Sequence, residues 1–198
     1  RRCTIISMHH EQAAAFAAEG VARQANGASL ALAMGTSGPG ATNLLTGIGS
    51  CWFDSIPCLF ITGQVNVAEL KGDRAIRQQG FQELDIVSMT HMITKYSGQV
   101  TEVEQLLPEL HRALSLALSG RKGPVLLDIP NNIQRMDIDD EVVEKWLVQP
   151  LAIDPSIPPP LSNEDAASVA ALCRHAKRPL VCFGGGVRWA ASMSLCVD

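Results

Sequence analysis

The fold class is decided near the start of the chain, by residues 3–43, which read CTIISMHHEQAAAFAAEGVARQANGASLALAMGTSGPGATN. Apolar periodicity predicts four elements in turn: a buried strand at 3–6, a helix at 11–25, a strand at 28–34 and, after a glycine-rich turn, a helix at 40–52. We expect Gly27 to end the first helix. Strands that alternate with helices in this way are typical of an α/β protein.

The same alternation continues to about residue 135. The pattern predicts a strand at 58–63, a short helix at 83–89, a strand at 93–96 and a buried strand at 125–129. Between the last two strands, an amphipathic helix begins between Val103 and Leu107 and ends at Gly120, with Pro108 as a kink or as part of its first turn. We therefore predict a parallel sheet wound with helices on both faces.

The composition changes after residue 135. Residues 136–161 are first acidic and then contain Pro155, Pro158, Pro159 and Pro160, which predicts a stiff, extended linker. Ser162 predicts the N-cap of a helix that runs to about residue 176, followed by a strand at 179–183 and a turn at 184–186. One βα unit is too small for a domain, so we expect residues 162–198 to be the start of a second α/β unit and the chain to be a piece of a longer protein. Residues 1–135 then form a first domain that lacks its first βα unit.

Composition and charge exclude several classes of partner. With 46% hydrophobic residues, 18% charged residues and a formal net charge of −4, the chain does not match a nucleic-acid or membrane-surface binder. No apolar run is long enough to span a bilayer. The six cysteines form no Cys-x-x-Cys pair, and His9 and His10 lack partner ligands at metal-site spacing, so we predict no metal site. A cytoplasmic protein is the default expectation.

Glu11 is the first candidate for chemistry. It lies where a predicted strand leads into an otherwise apolar, alanine-rich helix. In open α/β sheets, ligands bind at the edge formed by the carboxyl ends of the strands. An acidic residue at this position also complements the positive end of the helix dipole. This segment by itself leaves both interpretations open.

The turn at residues 35–43 is the second candidate. Its glycines allow a ligand to approach the backbone closely, and the N–H groups at the start of the following helix attract polar or anionic atoms. The turn fits neither the Walker motif nor the dinucleotide fingerprint. Ordinary strand-to-helix geometry therefore also explains it.

Six segments in one order resemble the acetolactate synthase group of thiamine diphosphate enzymes. They are EQAAAFAAEG (11–20), TSGPGATNL (36–44), DSIP (54–57), ITGQV (61–65), GFQE (80–83) and GPVLLDIP (123–130). The resemblance covers residues 3–135 as the pyrimidine-binding domain and continues less specifically through residues 178–188. One departure is His9, which stands where this family commonly carries arginine.

The resemblance implies roles for six residues. Glu11 would hydrogen-bond N1′ of the aminopyrimidine ring in a dry environment and so activate the cofactor. Further residues would line the cofactor or face the substrate: Gly38, Pro39 and Asn43 along the pyrimidine ring, and Phe81 and Gln82 toward the reacting carbon. Without the resemblance, Phe81 is explained as a core ring and Gln82 as an exposed loop amide.

The resemblance also implies cofactors and partners. The family holds the diphosphate and its Mg²⁺ on another domain, through a Gly-Asp-Gly motif and a following asparagine, which we do not find here; we interpret Asn131 and Asn132 as a turn. Because the family's active site forms between subunits, we expect a homo-oligomer, dimer or tetramer. The 198-residue chain by itself should bind cofactor poorly and turn over nothing. The sequence leaves a requirement for FAD open.

The leading functional hypothesis is a transferase that decarboxylates pyruvate and joins the two-carbon unit to a second 2-keto acid, as in branched-chain amino acid biosynthesis. Related thiamine diphosphate lyases, oxidases and decarboxylases share this domain, and the charged stretch at 71–80 favours another acceptor. Two further hypotheses stay open: a non-catalytic assembly module that pairs through the helix at 40–52, and a nicotinamide-binding domain with its pyrophosphate at the Gly184 turn.

Overall fold

A four-stranded parallel sheet forms the centre of the computed structural model. The structure describes residues 4–25, 30–152 and 159–190. The strands are β1 (Ala31–Gly35), β2 (Cys58–Gln64), β3 (Tyr96–Gln99) and β4 (Val125–Pro130), and they lie in the order β1-β2-β4-β3. All three neighbouring pairs are parallel.

Eight α-helices accompany the sheet in the described ranges. They are α1 (Glu11–Gln24), α2 (Pro39–Asn43), α3 (Leu45–Asp54), α4 (Ile86–Thr90), α5 (Val103–Leu118), α6 (Asp140–Leu147), α7 (Asn163–His175) and α8 (Gly185–Trp189). None of these helices is both long and apolar enough to cross a membrane.

The two faces of the sheet carry separate apolar cores. Along β2, Cys58 and Phe60 join the core formed with α1, α3 and α4, whereas Leu59 and Ile61 join the core formed with α5. Since side chains alternate along a strand, a strand covered on both faces is apolar at most of its positions. This explains the continuous apolar runs at β2 and β4, and the predicted parallel sheet with helices on both faces is confirmed.

Close packing of α1 on α3 sets the position of the first helix. Ala15 is fully buried, and a Cβ added to Gly47 would lie only 2.4 Å from the Ala15 Cβ. Glycine at this position therefore lets the two helices approach each other more closely than any larger residue would allow.

Three predicted elements at the start of the sheet differ from the structure. Residues 4–6 of the predicted strand at 3–6 form no strand, and Ile5 is 87% exposed, because no described strand lies beside them to complete a ladder. Residue 3 lies outside the described residues, as do Gly27 and residues 28 and 29 of the next prediction. The predicted helix at 40–52 is two helices, because the Leu44 N–H donates to Ala41 O, three residues back.

Further along the chain, the predicted strand at 93–96 is wrong in position. Residues His91–Ile93 form a short 3₁₀ turn, and the strand runs over Tyr96–Gln99. The predicted helix with Pro108 is confirmed as α5, which begins at Val103 and continues through the proline. The strand at 125–129 is also confirmed, with Pro130 as its last residue.

The predicted linker at 136–161 is not extended throughout. Asp139 caps α6 by accepting from the Glu141 N–H at 2.9 Å. The Trp146 ring lies 5.4 Å from the His111 ring of α5, so this part of the chain packs on the first domain. The domain boundary itself stays a prediction, and residues 153–158 lie outside the described residues.

The last described segment confirms one prediction and corrects two. Ser162 caps α7 by accepting from the Asp165 N–H at 3.0 Å, as predicted. Residues 179–183 form no strand, since no described strand lies beside them to pair with. The predicted glycine turn at 184–186 leads at once into α8, whose Trp189 donates to Asp54 O at 3.0 Å.

Candidate active site

The start of α1 places Glu11 at the carboxyl edge of the sheet. His10 is the N-cap, and its Nδ1 accepts from the Gln12 N–H at 3.1 Å. Glu11 is therefore the first residue of the helix, where the positive end of the helix dipole favours a carboxylate. Because residues 4–8 form no strand, it is β1 and the turn after it that bring Glu11 to this edge.

Asn43 holds the Glu11 carboxyl group from α2. Its Nδ2 donates to Glu11 Oε2 at 3.0 Å, across 32 positions of sequence. This hydrogen bond is the largest cause that lowers the pKa of Glu11, and the backbone N–H of Glu11 itself adds to the effect. Both donors stabilise the charged form. The structure thus brings together two of the predicted site residues, and their hydrogen bond favours the ionised form of Glu11.

The other carboxyl oxygen faces the glycine turn. A Cβ added to Gly40 would lie 3.2 Å from Glu11 Oε1 and 2.5 Å from the Thr36 Cγ2. Within the described ranges, Asn43 is the only other residue that donates a hydrogen bond to this carboxyl group. Oε1 therefore lies close to the backbone of the glycine turn.

Gly38 joins the glycine turn to the loop that carries Gln82. Gly38 has φ 57°, a left-handed conformation that favours glycine. A Cβ at this position would lie 2.8 Å from the Gln82 Cβ and 2.9 Å from the Gln82 carbonyl oxygen. The contact places Gln82 beside the glycine turn that lies next to Glu11.

Gln82 itself is a strained position. It has φ 58°, which is uncommon for a residue with a side chain. Such conformations cost about 1–3 kcal/mol, persist where the surroundings enforce them, and cluster at functional sites.

Phe81 and Pro39 face outward. Phe81 is 82% exposed, so the explanation of this residue as a core ring is wrong. Pro39 is the first residue of α2 and is also exposed.

The expected dry environment of Glu11 is not found in this chain. Glu11 is half-buried, and its pKa is lowered, whereas a dry pocket would raise it. A cavity of about 220 Å³ lies elsewhere, lined by Ser55, Gly120, Arg121, Lys122, Gly186, Trp189 and Ala190. None of the predicted site residues lines that cavity. The Glu11 carboxyl group is instead partly accessible to solvent at this edge.

Two polar residues at the same edge were not predicted. Asp128 and Gln64 are buried at the ends of β4 and β2, within hydrogen-bonding distance of each other. The sequence did contain one indication, a charged residue inside the otherwise apolar run at 125–129. A carboxylate is almost never fully buried unless it is paired, so Asp128 indicates polar partners nearby.

Comparison with known proteins gives the family. Residues 1–89 match the family described as "Thiamine pyrophosphate enzyme, N-terminal TPP binding domain". The acetolactate synthase isozyme 1 large subunit of Escherichia coli K12 is 38% identical over 182 residues, which are 92% of this chain and 30% of the relative.

Two further relatives agree with this result. The acetolactate synthase of Arthrospira platensis is 41% identical over 180 residues, 90% of this chain and 29% of the relative. The probable acetolactate synthase large subunit of Methanocaldococcus jannaschii is 38% identical over 188 residues, 92% of this chain and 29% of the relative. The chain spans less than a third of the length of these curated relatives. Residues 1–89 therefore match the N-terminal TPP-binding domain of thiamine pyrophosphate enzymes, and the chain as a whole is acetolactate synthase-like.

Proposed function

We propose that this chain supplies the aminopyrimidine-binding part of a thiamine diphosphate-dependent carboligase of the acetolactate synthase type. The complete protein would decarboxylate pyruvate and join the two-carbon unit to a second 2-keto acid. One observation carries the proposal: the Glu11 carboxyl group is held by Asn43 at 3.0 Å and turns its other oxygen toward a glycine turn.

The residues at this edge fit an aminopyrimidine ring. Gly38 and Gly40 let Gln82 and Thr36 pack closely on the turn, and Asn43 fixes one carboxyl oxygen so that the other has a defined position. When bound, thiamine diphosphate supplies a carbon nucleophile that adds to the keto group and accepts the electron pair released with carbon dioxide. The part of Glu11 is to share a proton with a ring nitrogen.

Sharing that proton requires a higher pKa than Glu11 has in the chain alone. Its pKa is lowered by the Asn43 amide and the helix-start backbone, and the residue is partly exposed to water. Covering this edge with a second subunit would remove water, raise the pKa of Glu11 and favour the protonated form. We therefore propose that the site is completed by a partner subunit, with Mg²⁺ and the diphosphate held there.

Gln82 and Phe81 would contact the substrate or the covering subunit. Both lie on the loop that packs on Gly38, and both are exposed in this chain. We propose 2-keto acids as the substrate class, with the second keto acid and a requirement for FAD to be decided by experiment. A related lyase, oxidase or decarboxylase would use the same Glu11 site but give another product.

The test uses the complete protein that contains this chain. Purified enzyme is given pyruvate with and without thiamine diphosphate and Mg²⁺, and acetolactate, acetaldehyde and acetate are quantified. We expect acetolactate, dependent on the cofactor, and a loss of about 10²–10⁴-fold in the Glu11→Gln variant. Acetaldehyde or acetate as the main product would assign a related reaction.

Glu104→Gln is the matched control, because Glu104 is the acidic residue in the first turn of α5 and is exposed. If Glu11 only complements a helix dipole, both variants lose a similar small amount of stability, about 0.3–1 kcal/mol, and keep full activity. That result would reject the proposed function of Glu11.

A further inference from the structure

A buried polar network joins the carboxyl ends of three strands. Asp128 on β4 accepts hydrogen bonds from the Thr62 hydroxyl at 2.7 Å, from Gln64 Nε2 at 3.0 Å and from Gln99 Nε2 at 2.8 Å. Thr62 donates to Oδ1, whereas both glutamine amides donate to Oδ2. The network therefore ties β2 and β3 to β4 at the edge where the candidate site lies.

The carboxyl group at its centre is unusual because it is fully buried and its described hydrogen-bond donors are all neutral side chains. Burial raises the pKa of Asp128, and the three donors act against that rise. A buried acid costs stability compared with an apolar residue of similar size. Because packing alone would favour an apolar residue at this position, we look for a further role of Asp128 in the hydrogen bonds that it accepts.

Gln64 connects Asp128 to the loop that carries Gln82. Its Nε2 donates to Asp128 Oδ2 at 3.0 Å and also to the Leu84 carbonyl oxygen at 2.7 Å. Its Oε1 accepts from the Val65 N–H at 3.0 Å, so the amide is fixed on both sides. Leu84 lies two residues after Gln82, and the bond therefore holds one end of the strained turn.

Glu83 holds the other side of the same loop. Its carboxyl group accepts from the Lys71 N–H at 2.6 Å and from the Gln79 N–H at 2.7 Å. Burial acts to raise the pKa of Glu83, but these donors and the Gly80 N–H together lower it. Gln64 therefore fixes Leu84, and Glu83 binds the backbone of Lys71 and Gln79. Together these hydrogen bonds hold the backbone of Gln82 at φ 58°, in contact with Gly38.

We propose that Asp128 and Gln64 are positioning residues that fix Gln82 beside the glycine turn through the Gln64–Leu84 hydrogen bond. Neither residue touches the reacting atoms. The catalytic consequence rests on the proposed function, whereas the anchoring of the loop does not. Loss of the anchor relaxes Gln82 toward an unstrained backbone, and a shift of about 1 Å at a group that orients substrate can cost up to about a hundredfold in rate.

The test compares Gln64→Met with Thr62→Val. Methionine keeps the length of the glutamine side chain without its donors, so it removes both the Asp128 and the Leu84 bonds. Valine keeps the shape of threonine and removes only the bond to Asp128 Oδ1, which leaves the Gln64–Leu84 bond intact. Thr62→Val thus controls for general weakening of the buried network.

Two measurements compare the variants, one of the loop's hydrogen bonds and one of catalysis. Amide hydrogen exchange on the 198-residue chain reports the Lys71, Gln79 and Glu83 N–H groups, whose hydrogen bonds close the loop. Steady-state kinetics of the complete protein report kcat and KM for the keto acid, and calorimetry reports the Kd of thiamine diphosphate. In Gln64→Met we expect exchange at these amides at least about tenfold faster than in Thr62→Val. We also expect kcat lower by about tenfold or more and an unchanged cofactor Kd.

Equal exchange in the two variants would overturn the anchoring. Faster exchange with unchanged kcat and KM would overturn the positioning role. If the unsubstituted complete protein forms no product from any 2-keto acid, the proposed function fails and the positioning role fails with it, but the exchange comparison still decides whether Gln64 anchors the loop.

Discussion

The contact between α1 and α3 gives a sharp prediction, because α1 carries Glu11 at its start. In Gly47→Ala, the new Cβ would lie 2.4 Å from the Cβ of the fully buried Ala15, whereas two carbon atoms pack best at about 3.8 Å. The helices must therefore separate by about 1.4 Å or bend. Overpacking of a buried contact costs about 1–3 kcal/mol.

The gain in helix propensity offsets part of that cost. Replacing a helical glycine by alanine stabilises a helix by about 1 kcal/mol. Because the contact is so short, we take the overpacking cost as about 3 kcal/mol and expect the free energy of unfolding to fall by about 2 kcal/mol. For a chain of this size, the loss lowers Tm by about 4–8 °C. Thermal unfolding followed by circular dichroism measures it.

Gly49→Ala is the matched control on the same helix. A Cβ added to Gly49 has no neighbour within 4 Å, so the substitution brings only the propensity gain of about 0.5–1 kcal/mol and a slightly higher Tm. If Gly47→Ala is as stable as Gly49→Ala, the close approach of the two helices is refuted, and with it the argument for how α1 is positioned.

Three further predictions concern the candidate site and the buried network. Asn43→Ala removes the largest cause that lowers the pKa of Glu11, so this pKa should rise in a carbon-13 NMR titration; Thr42→Ala, whose hydroxyl donates only to Pro39 O, should leave it unchanged, and equal titration in both would contradict the assignment. Gly40→Ala should weaken thiamine diphosphate binding to the complete protein by about tenfold in calorimetry, because its Cβ would lie 2.5 Å from the Thr36 Cγ2 and 3.2 Å from Glu11 Oε1 and would so displace the turn beside the carboxyl group; an unchanged Kd would contradict this geometry. Burial raises the pKa of Asp128 above 3.8, so the stability from this group is full at low pH and falls as pH rises through the folded-state pKa. Asp128→Asn removes that decline. In urea titrations, the free energy of unfolding of the variant minus that of the unsubstituted chain should therefore increase from about pH 4 to pH 7. A decrease of this difference over the same range would contradict the raised pKa of Asp128.

The sequence predicts the elements whose patterns are strong and local. The apolar stripe of α5 and the continuous apolar run of β4 each have one interpretation, and both form where predicted. The run at 3–6 has the same apolar character as a buried strand, but strand formation depends on a partner in space. Composition alone does not report that partner, so the prediction fails at residues 4–6.

The candidate site was predictable only through the ordered motifs. Glu11 and Asn43 lie 32 positions apart, and nothing in their local patterns indicates that their side chains meet. The strain at Gln82 depends on contacts from Gly38 and on the anchored Leu84 carbonyl group, which are long-range features. Asp128 could have been noticed as the one charge in a buried strand, but its three partners come from two other strands.

The environment of Glu11 could not be predicted from the residues around it. The alanines of α1 suggest a dry surrounding, yet they face α3 and the sheet, while the carboxyl group lies at the open start of the helix. An apolar helix and an exposed first turn are compatible, because burial is decided by which face of the helix packs and not by composition.

The central claim is that Glu11 activates the cofactor, and exchange of the thiamine diphosphate C2 proton for deuterium tests it most directly. The rate is measured by NMR for the complete protein, for its Glu11→Gln variant and for free cofactor in the same buffer. The account predicts fast exchange in the unsubstituted protein and a loss of at least about a hundredfold in Glu11→Gln. Equal exchange rates in the two proteins would contradict it.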